Sequence, residues 1–263
     1  MTGILSKLEG NELAGFILVL ARVTPLFVVA PLFSSAMIPP RVRGIIAVGI
    51  SIGLAPIALR GQHIPTDPLT LAALVIEGGL VGLGFAFTLA VLMAAVESAG
   101  AVIDVLSGFS YGALINPLNN EQTAVMARFY SLFGTLIFLV IGGDAWTLKG
   151  IDRTFTLVPL TSAPRLSSIV GGAEQVFSTV FTAALEVAAP VLIALLITDV
   201  AFGVVSRVVP QLNVFAVGFP LQILVGLTMI VIAMPLLGVV VPQVFEQAPR
   251  ELDSVMRLMR PPG

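Results

Sequence analysis

Apolar residues arrive in this chain as six long blocks, separated by short polar stretches rich in glycine and proline. The blocks cover 13–33, 44–59, 69–96, 124–142, 176–205 and 214–241. A helix takes ~20 predominantly apolar residues to cross a bilayer. Four blocks reach that length, and 44–59 falls short. The pattern predicts an all-α fold of integral-membrane-type helical hairpins. Charges lie well inside several blocks, at Arg22, Glu77, Arg128, Glu186 and Asp199. An ionised group facing lipid costs at least ~2.5–3.5 kcal/mol, so these side chains are expected to face protein or water. Pro25, Pro31, Pro56, Pro190, Pro220 and Pro235 interrupt the blocks, each removing a helical hydrogen bond, which predicts proline-broken helices. Helices this broken and this charged suit a protein packed against other subunits, although transporters use broken helices too.

Composition reinforces the membrane reading. Of 263 residues, 57% are hydrophobic and 11% charged, against about 25% charged in a soluble domain. Mean hydropathy is +1.05. The net charge of −2 comes without a basic run, so nucleic acid is not an expected partner. Cysteine is absent, and the sole histidine, His63, sits in a polar stretch. That removes thiol chemistry and the usual metal-ligand sets, so no metal and no cofactor are expected. The first apolar block is too long for the core of a secretory signal. No linker divides the chain, which reads as one unit over 1–263. With six alternating spans, Lys7, Arg60, Lys149, Arg153, Arg165, Arg250, Arg257 and Arg260 fall on one side, and Arg41, Arg43 and Arg207 on the other. The positive-inside rule then puts the C-terminus in the cytoplasm.

Three local features carry candidate roles. Gly78, Gly82, Ala86, Ala90, Ala94 and Ser98 recur every four residues, a small-residue ridge along which another helix can approach closely; Gly49 and Gly53 form a shorter version. Chance is the competing explanation, since Gly and Ala are abundant throughout. Gly108-Phe109-Ser110-Tyr111-Gly112 matches the nucleophile elbow of serine hydrolases, but that turn follows a strand and needs a later histidine. Here the surroundings are helical and no histidine follows. Glu97 and Asp104, seven residues apart, share a helix face, where hydrogen bonding to a partner helix or solvent is the commoner role. The wider stretch from Gly108 to Pro117 is too interrupted for a spanning helix and too apolar for a solvent loop. It is a candidate plug or constriction, with Gly108, Phe109, Tyr111, Leu114, Ile115, Asn116 and Pro117 forming it. A re-entrant turn with no gating role fits the same residues.

Longer motifs then connect these features. Ala21-Arg22-Val23-Thr24-Pro25-Leu26-Phe27 is followed by Ala30-Pro31-Leu32-Phe33 and by Ile38-Pro39-Pro40-Arg41-Val42-Arg43. Glu77-Gly78, Ala99-Gly100 and the 108–117 stretch follow. Late in the chain come Ala189-Pro190-Val191, Leu195 to Asp199, Gly203 and Arg207. Pro210-Gln211-Leu212-Asn213-Val214-Phe215 and Val217-Gly218-Phe219-Pro220 close the set. In these motifs, over nearly its whole length, the chain resembles the FliR family, a component of the flagellar type III protein-export gate with relatives in virulence secretion. One departure is Asp144, where that family leads one to expect histidine.

The resemblance implies a non-enzymatic subunit of a protein-conducting channel. It implies assembly with FliP-like and FliQ-like subunits, FlhB-like and FlhA-like neighbours, and exported flagellar proteins as transient partners. Residues 1–170 would be the FliP-like part and 171–263 the FliQ-like hairpin, in the inner membrane at the flagellar basal body. The 108–117 loop would plug the pore. No phosphate-binding G-x-x-x-x-G-K-[ST] motif occurs, so nucleotide energy would have to come from elsewhere. Two rival functions are a secondary transporter or small-solute channel, which would show internal repeats and a polar midplane site, and an intramembrane serine hydrolase built on Ser110.

Overall fold

Hydrophobic blocks of this length leave the backbone one way to satisfy its own polar groups away from water, the α-helix. The computed structural model describes residues 10–35, 37–65, 67–109, 124–163, 166–211 and 213–258. It has seven helices among them, and no strand. They are α1 (Gly10–Val29), α2 (Pro40–Ala58), α3 (Pro68–Ser107), α4 (Val125–Val140), α5 (Gly143–Leu157), α6 (Leu166–Val208) and α7 (Val214–Leu258). Five are long and apolar enough to cross a membrane, and six spans result if the bent pair α4–α5 counts as one.

Local chemistry explains where the helices start and stop. Asp67 caps α3: its carboxylate accepts the Thr70 amide at 3.0 Å and the Thr70 hydroxyl at 2.9 Å, with Pro68 at the first helical position. Those two hydrogen bonds favour the charged form and hold the Asp67 carboxyl below its ordinary pKa. Asn213 caps α7 by accepting the Ala216 amide at 3.2 Å, and Pro210 follows the end of α6 at Val208. Between α4 and α5 the chain breaks at Gly142, whose φ of +76° only glycine adopts without strain.

Three details differ from expectation. Pro25, Pro56, Pro190, Pro220 and Pro235 do not end their helices, which continue through them. Pro31 alone lies beyond a helix end, in the turn after α1. The helices also outrun the apolar blocks: α3, α6 and α7 have 40, 43 and 45 residues. At 1.5 Å per residue that is about 60–68 Å, roughly twice a ~30 Å hydrocarbon core. Finally, α5 was not anticipated as a helix at all.

The chain forms two compact units. The first comprises residues 1–91, 142–177 and 247–263. Its core holds Leu18, Val19, Val23, Leu26, Phe85, Leu89, Ile151 and Val158. The second comprises 92–141 and 178–246, with Ile103, Tyr130, Phe138, Val187, Val191, Leu195, Leu237 and Val241 buried and Phe138 edge-on to Phe245 at 5.2 Å. Long helices carry the chain from one unit to the other, so no linker composition marks the boundary.

Candidate functional site

In the first unit the feature with most chemistry is Arg22. It sits midway along α1 and is buried. Its Nη1 donates to the carbonyls of Thr154 at 3.2 Å and Val158 at 2.6 Å. These carbonyls belong to the last turn and C-cap of α5, where the dipole is negative. The Thr154 carbonyl also accepts the Val158 amide, whereas the Val158 carbonyl lies past the helix end. The guanidinium also lies 5.0 Å from the Phe155 ring centroid. A cation inside an apolar helix is thus neutralised by a helix end and an aromatic face, and among the described residues no carboxylate joins it. Its Nε has no hydrogen-bond partner among the described residues.

Around Arg22 the helices cross at backbone contact. A Cβ at Gly82 would fall on the Arg22 carbonyl oxygen, far inside van der Waals distance. At Gly78 it would lie 3.6 Å from the Leu18 carbonyl. At Gly150 on α5 it would meet the Phe85 ring at 2.9 Å. Of the small-residue ridge, Gly78, Gly82 and Ala86 are buried. It does not stay on one face: Ala90 is half-buried and Ala94 exposed. A four-residue step overshoots a 3.6-residue turn by about 40°, so the row winds around the helix. Gly49 and Gly53 are exposed, with nothing within 4 Å of an added Cβ among the described residues.

In the second unit the corresponding residue is Asp104, buried in the last turn of α3. Its Oδ1 accepts the Met126 amide at 3.0 Å and its Oδ2 the Ala127 amide at 2.9 Å. The residue at the N-cap of α4 is Ala124, which has no side-chain acceptor. Asp104 supplies that cap from a neighbouring helix, with its negative charge at the positive end of the dipole. One turn earlier, a Cβ on Gly100 would meet the Met126 carbonyl at 2.5 Å. Glu97 is exposed.

The end of α3 leads into the predicted plug. Gly108 has φ +85°, and a Cβ there would meet the Phe219 ring at 2.8 Å. The structure thus brings Gly108 against the Gly218-Phe219-Pro220 motif of α7. Phe109 is half-buried. Tyr111, Leu114, Ile115, Asn116 and Pro117, with Ser110, lie outside the described residues. The nucleophile-elbow context is missing: Gly108 closes a 40-residue helix instead of following a strand. His63 is exposed. Of the remaining motif residues, Arg207, Pro210, Gln211 and Asn213 are exposed at the α6–α7 turn.

The charges inside apolar helices differ in exposure, and Glu77 on α3 is half-buried. Arg22 faces protein. Arg128, Glu186 and Asp199 are exposed on α4 and α6, and Asp199 accepts a hydrogen bond from Gln222 of α7. An open groove of about 520 Å³ runs along α1 and α3, lined by Ile17, Ala21, Pro25, Val75, Gly79 and Leu83. The hydroxyl nearest it, on Thr24, is turned back to the Leu20 carbonyl at 2.7 Å. It lacks the convergent polar groups that orient a transported solute. Among the described residues no group of three His, Cys, Asp or Glu side chains could hold a metal ion.

Long apolar helices, intrahelical charges and exposed aliphatic faces define a polytopic helical membrane protein. The chain belongs to the family described as bacterial export proteins, family 1, whose pattern matches residues 13–248. It is 30% identical to the flagellar biosynthetic protein FliR of Escherichia coli over 83% of this chain and 84% of the relative. It is also 30% identical to FliR of Bacillus subtilis, over 93% and 95%. The surface presentation of antigens protein SpaR of Shigella flexneri is 29% identical over 80% and 81%.

Proposed function

We propose that the chain is a non-enzymatic structural and gating subunit of the flagellar type III protein-export channel. In this reading it helps form the pore through which unfolded flagellar proteins cross the bacterial inner membrane. What supports it is the extent of the family match, which runs through both compact units and is shared by flagellar and virulence-export relatives. The physical picture agrees with it. Helices about twice a bilayer in length, with exposed charges inside apolar runs, call for protein neighbours in place of lipid. FliP-like and FliQ-like subunits are those neighbours, with FlhB-like and FlhA-like components beside them at the basal body. Residues 1–170 take the FliP-like role and 171–263 the FliQ-like one. The C-terminus faces the cytoplasm, and the 108–117 connection plugs the resting pore.

The test is co-purification in mild detergent from cells carrying the neighbouring genes. FliP-like and FliQ-like chains should elute with this one in a single complex at fixed ratio. Elution as an isolated chain with solute-uptake activity in vesicles would replace the reading with a transporter.

A further inference from the structure

We propose that the α6 face bearing Glu186 seats a membrane helix from a neighbouring export subunit, one that carries a single Lys or Arg at the depth of Glu186. This rests on the reading of the chain as a subunit of a membrane assembly. Glu186 lies nine residues into the apolar stretch Phe177–Val208. At 1.5 Å per residue it is about 14 Å from one end of that stretch and about 33 Å from the other. It is exposed and has no hydrogen-bond or ion-pair partner among the described residues. Asp199, by contrast, is answered by Gln222.

A second observation falls on the same turn. Residue 190 is proline, inside the helix. It has no N–H to give to the carbonyl four residues earlier, and that carbonyl belongs to Glu186. One level of α6 therefore offers a carboxylate and a main-chain carbonyl, both acceptors, without a helical donor. Hydrocarbon chains donate nothing. A guanidinium or ammonium donates several times and cancels the charge. The chain already uses this chemistry internally, where Arg22 serves two main-chain carbonyls at one helix end. Beyond Glu186 the face is aliphatic: Ile193, Ile197 and Val204 follow at 7, 11 and 18 residues, on the same side, each more than half exposed. The occupant is thus an apolar helix with one cation, not a soluble segment.

The absence of cysteine lets single thiols report on this face without background. A nitroxide attached at Ile197→Cys is compared in the assembled complex and in the chain reconstituted alone in the same lipid. Oxygen accessibility should fall at least threefold on assembly. Glu186→Lys should lower recovery of the complex at least fivefold, whereas Glu186→Gln, which still accepts, should lose less. Suppressors of Glu186→Lys should replace a Lys or Arg of another subunit by an acid or neutral residue. An assembled complex in which Ile197 stays as oxygen-accessible as in the isolated chain would overturn the inference while leaving the export reading intact. Suppressors confined to this chain would equally overturn it, pointing to a second copy. Failure of the unsubstituted chain to join any complex would instead remove the export reading itself.

Discussion

Arg22 is held by three things at once: the Val158 carbonyl, the Thr154 carbonyl and the Phe155 ring. Removing it does not affect them equally. The Thr154 carbonyl also accepts the Val158 amide at 2.9 Å, so it keeps a partner, whereas the Val158 carbonyl is left with less. A buried acceptor deprived of its donor costs about 1–3 kcal/mol. Arg22→Met should therefore destabilise the purified protein by about 1–3 kcal/mol, read as a lower thermal midpoint in detergent. Arg22→Lys should keep the charge but lose the planar fork, falling between the two. Equal midpoints for all three proteins would show that the guanidinium does not hold the end of α5. The sequence made part of this legible. A cation inside an apolar block had to face protein or water, and it faces protein. Its partners were out of reach, because main-chain carbonyls at a helix end carry no residue signature. Asp104 was visible only as a polar residue on a helix face. The better signal was indirect: α4 begins at Ala124, with no capping side chain of its own, so a cap had to come from elsewhere.

Between elements, the crossing of α1 and α3 depends on glycine at one point. Because a Cβ at Gly82 would overlap the Arg22 carbonyl, even Gly82→Ala forces backbone against backbone. Overpacking of this kind costs typically ~1–3 kcal/mol, although alanine is the better helix former by roughly 1 kcal/mol. The expected net result is a destabilised chain that assembles poorly. Gly53→Ala is the control, since nothing among the described residues lies within 4 Å of a Cβ there; there the helix propensity gain should appear alone, as unchanged or slightly raised stability. The measurement is thermal unfolding of both variants in detergent. If Gly82→Ala melts with Gly53→Ala, the crossing is looser than described. The four-residue count picked out Gly78 and Gly82, which lie against main-chain carbonyls of α1, and Ala94, which is exposed in this chain. The apolar blocks located all the spans yet missed α5. With Asp144, Lys149, Asp152 and Arg153 in fifteen residues, α5 is too polar to stand out in a chain of this composition. Polar Glu97 and Asp104 likewise hid the last turns of α3, which are helical without being membrane-like.

At the scale of the whole molecule, a channel wide enough for an unfolded polypeptide must not leak protons and ions between substrates. Bulky apolar groups at a constriction seal by excluding water, and hydrophobic constrictions gate in this way. In the proposed plug, Phe109, Tyr111, Leu114 and Ile115 would supply that bulk, in the connection after α3. Gly108 gives this connection a defined start: its left-handed backbone and its contact with Phe219 tie the first residue to α7. Residues that hold the helices together, such as Asp104, Gly100 and Arg22, are separate from these four. Sealing and assembly can therefore be separated by mutation. Replacing the four bulky residues by glycine or alanine should leave the yield of the complex within about twofold of the unsubstituted protein, while ion leakage and sensitivity to small toxic solutes rise several-fold. Membrane conductance or solute uptake in cells measures the first, and recovery of the purified complex measures the second. A fully assembled variant as tight as the original would place the seal on other residues. Loss of the complex together with tightness would mean that the connection holds subunits together, which its chemistry does not call for.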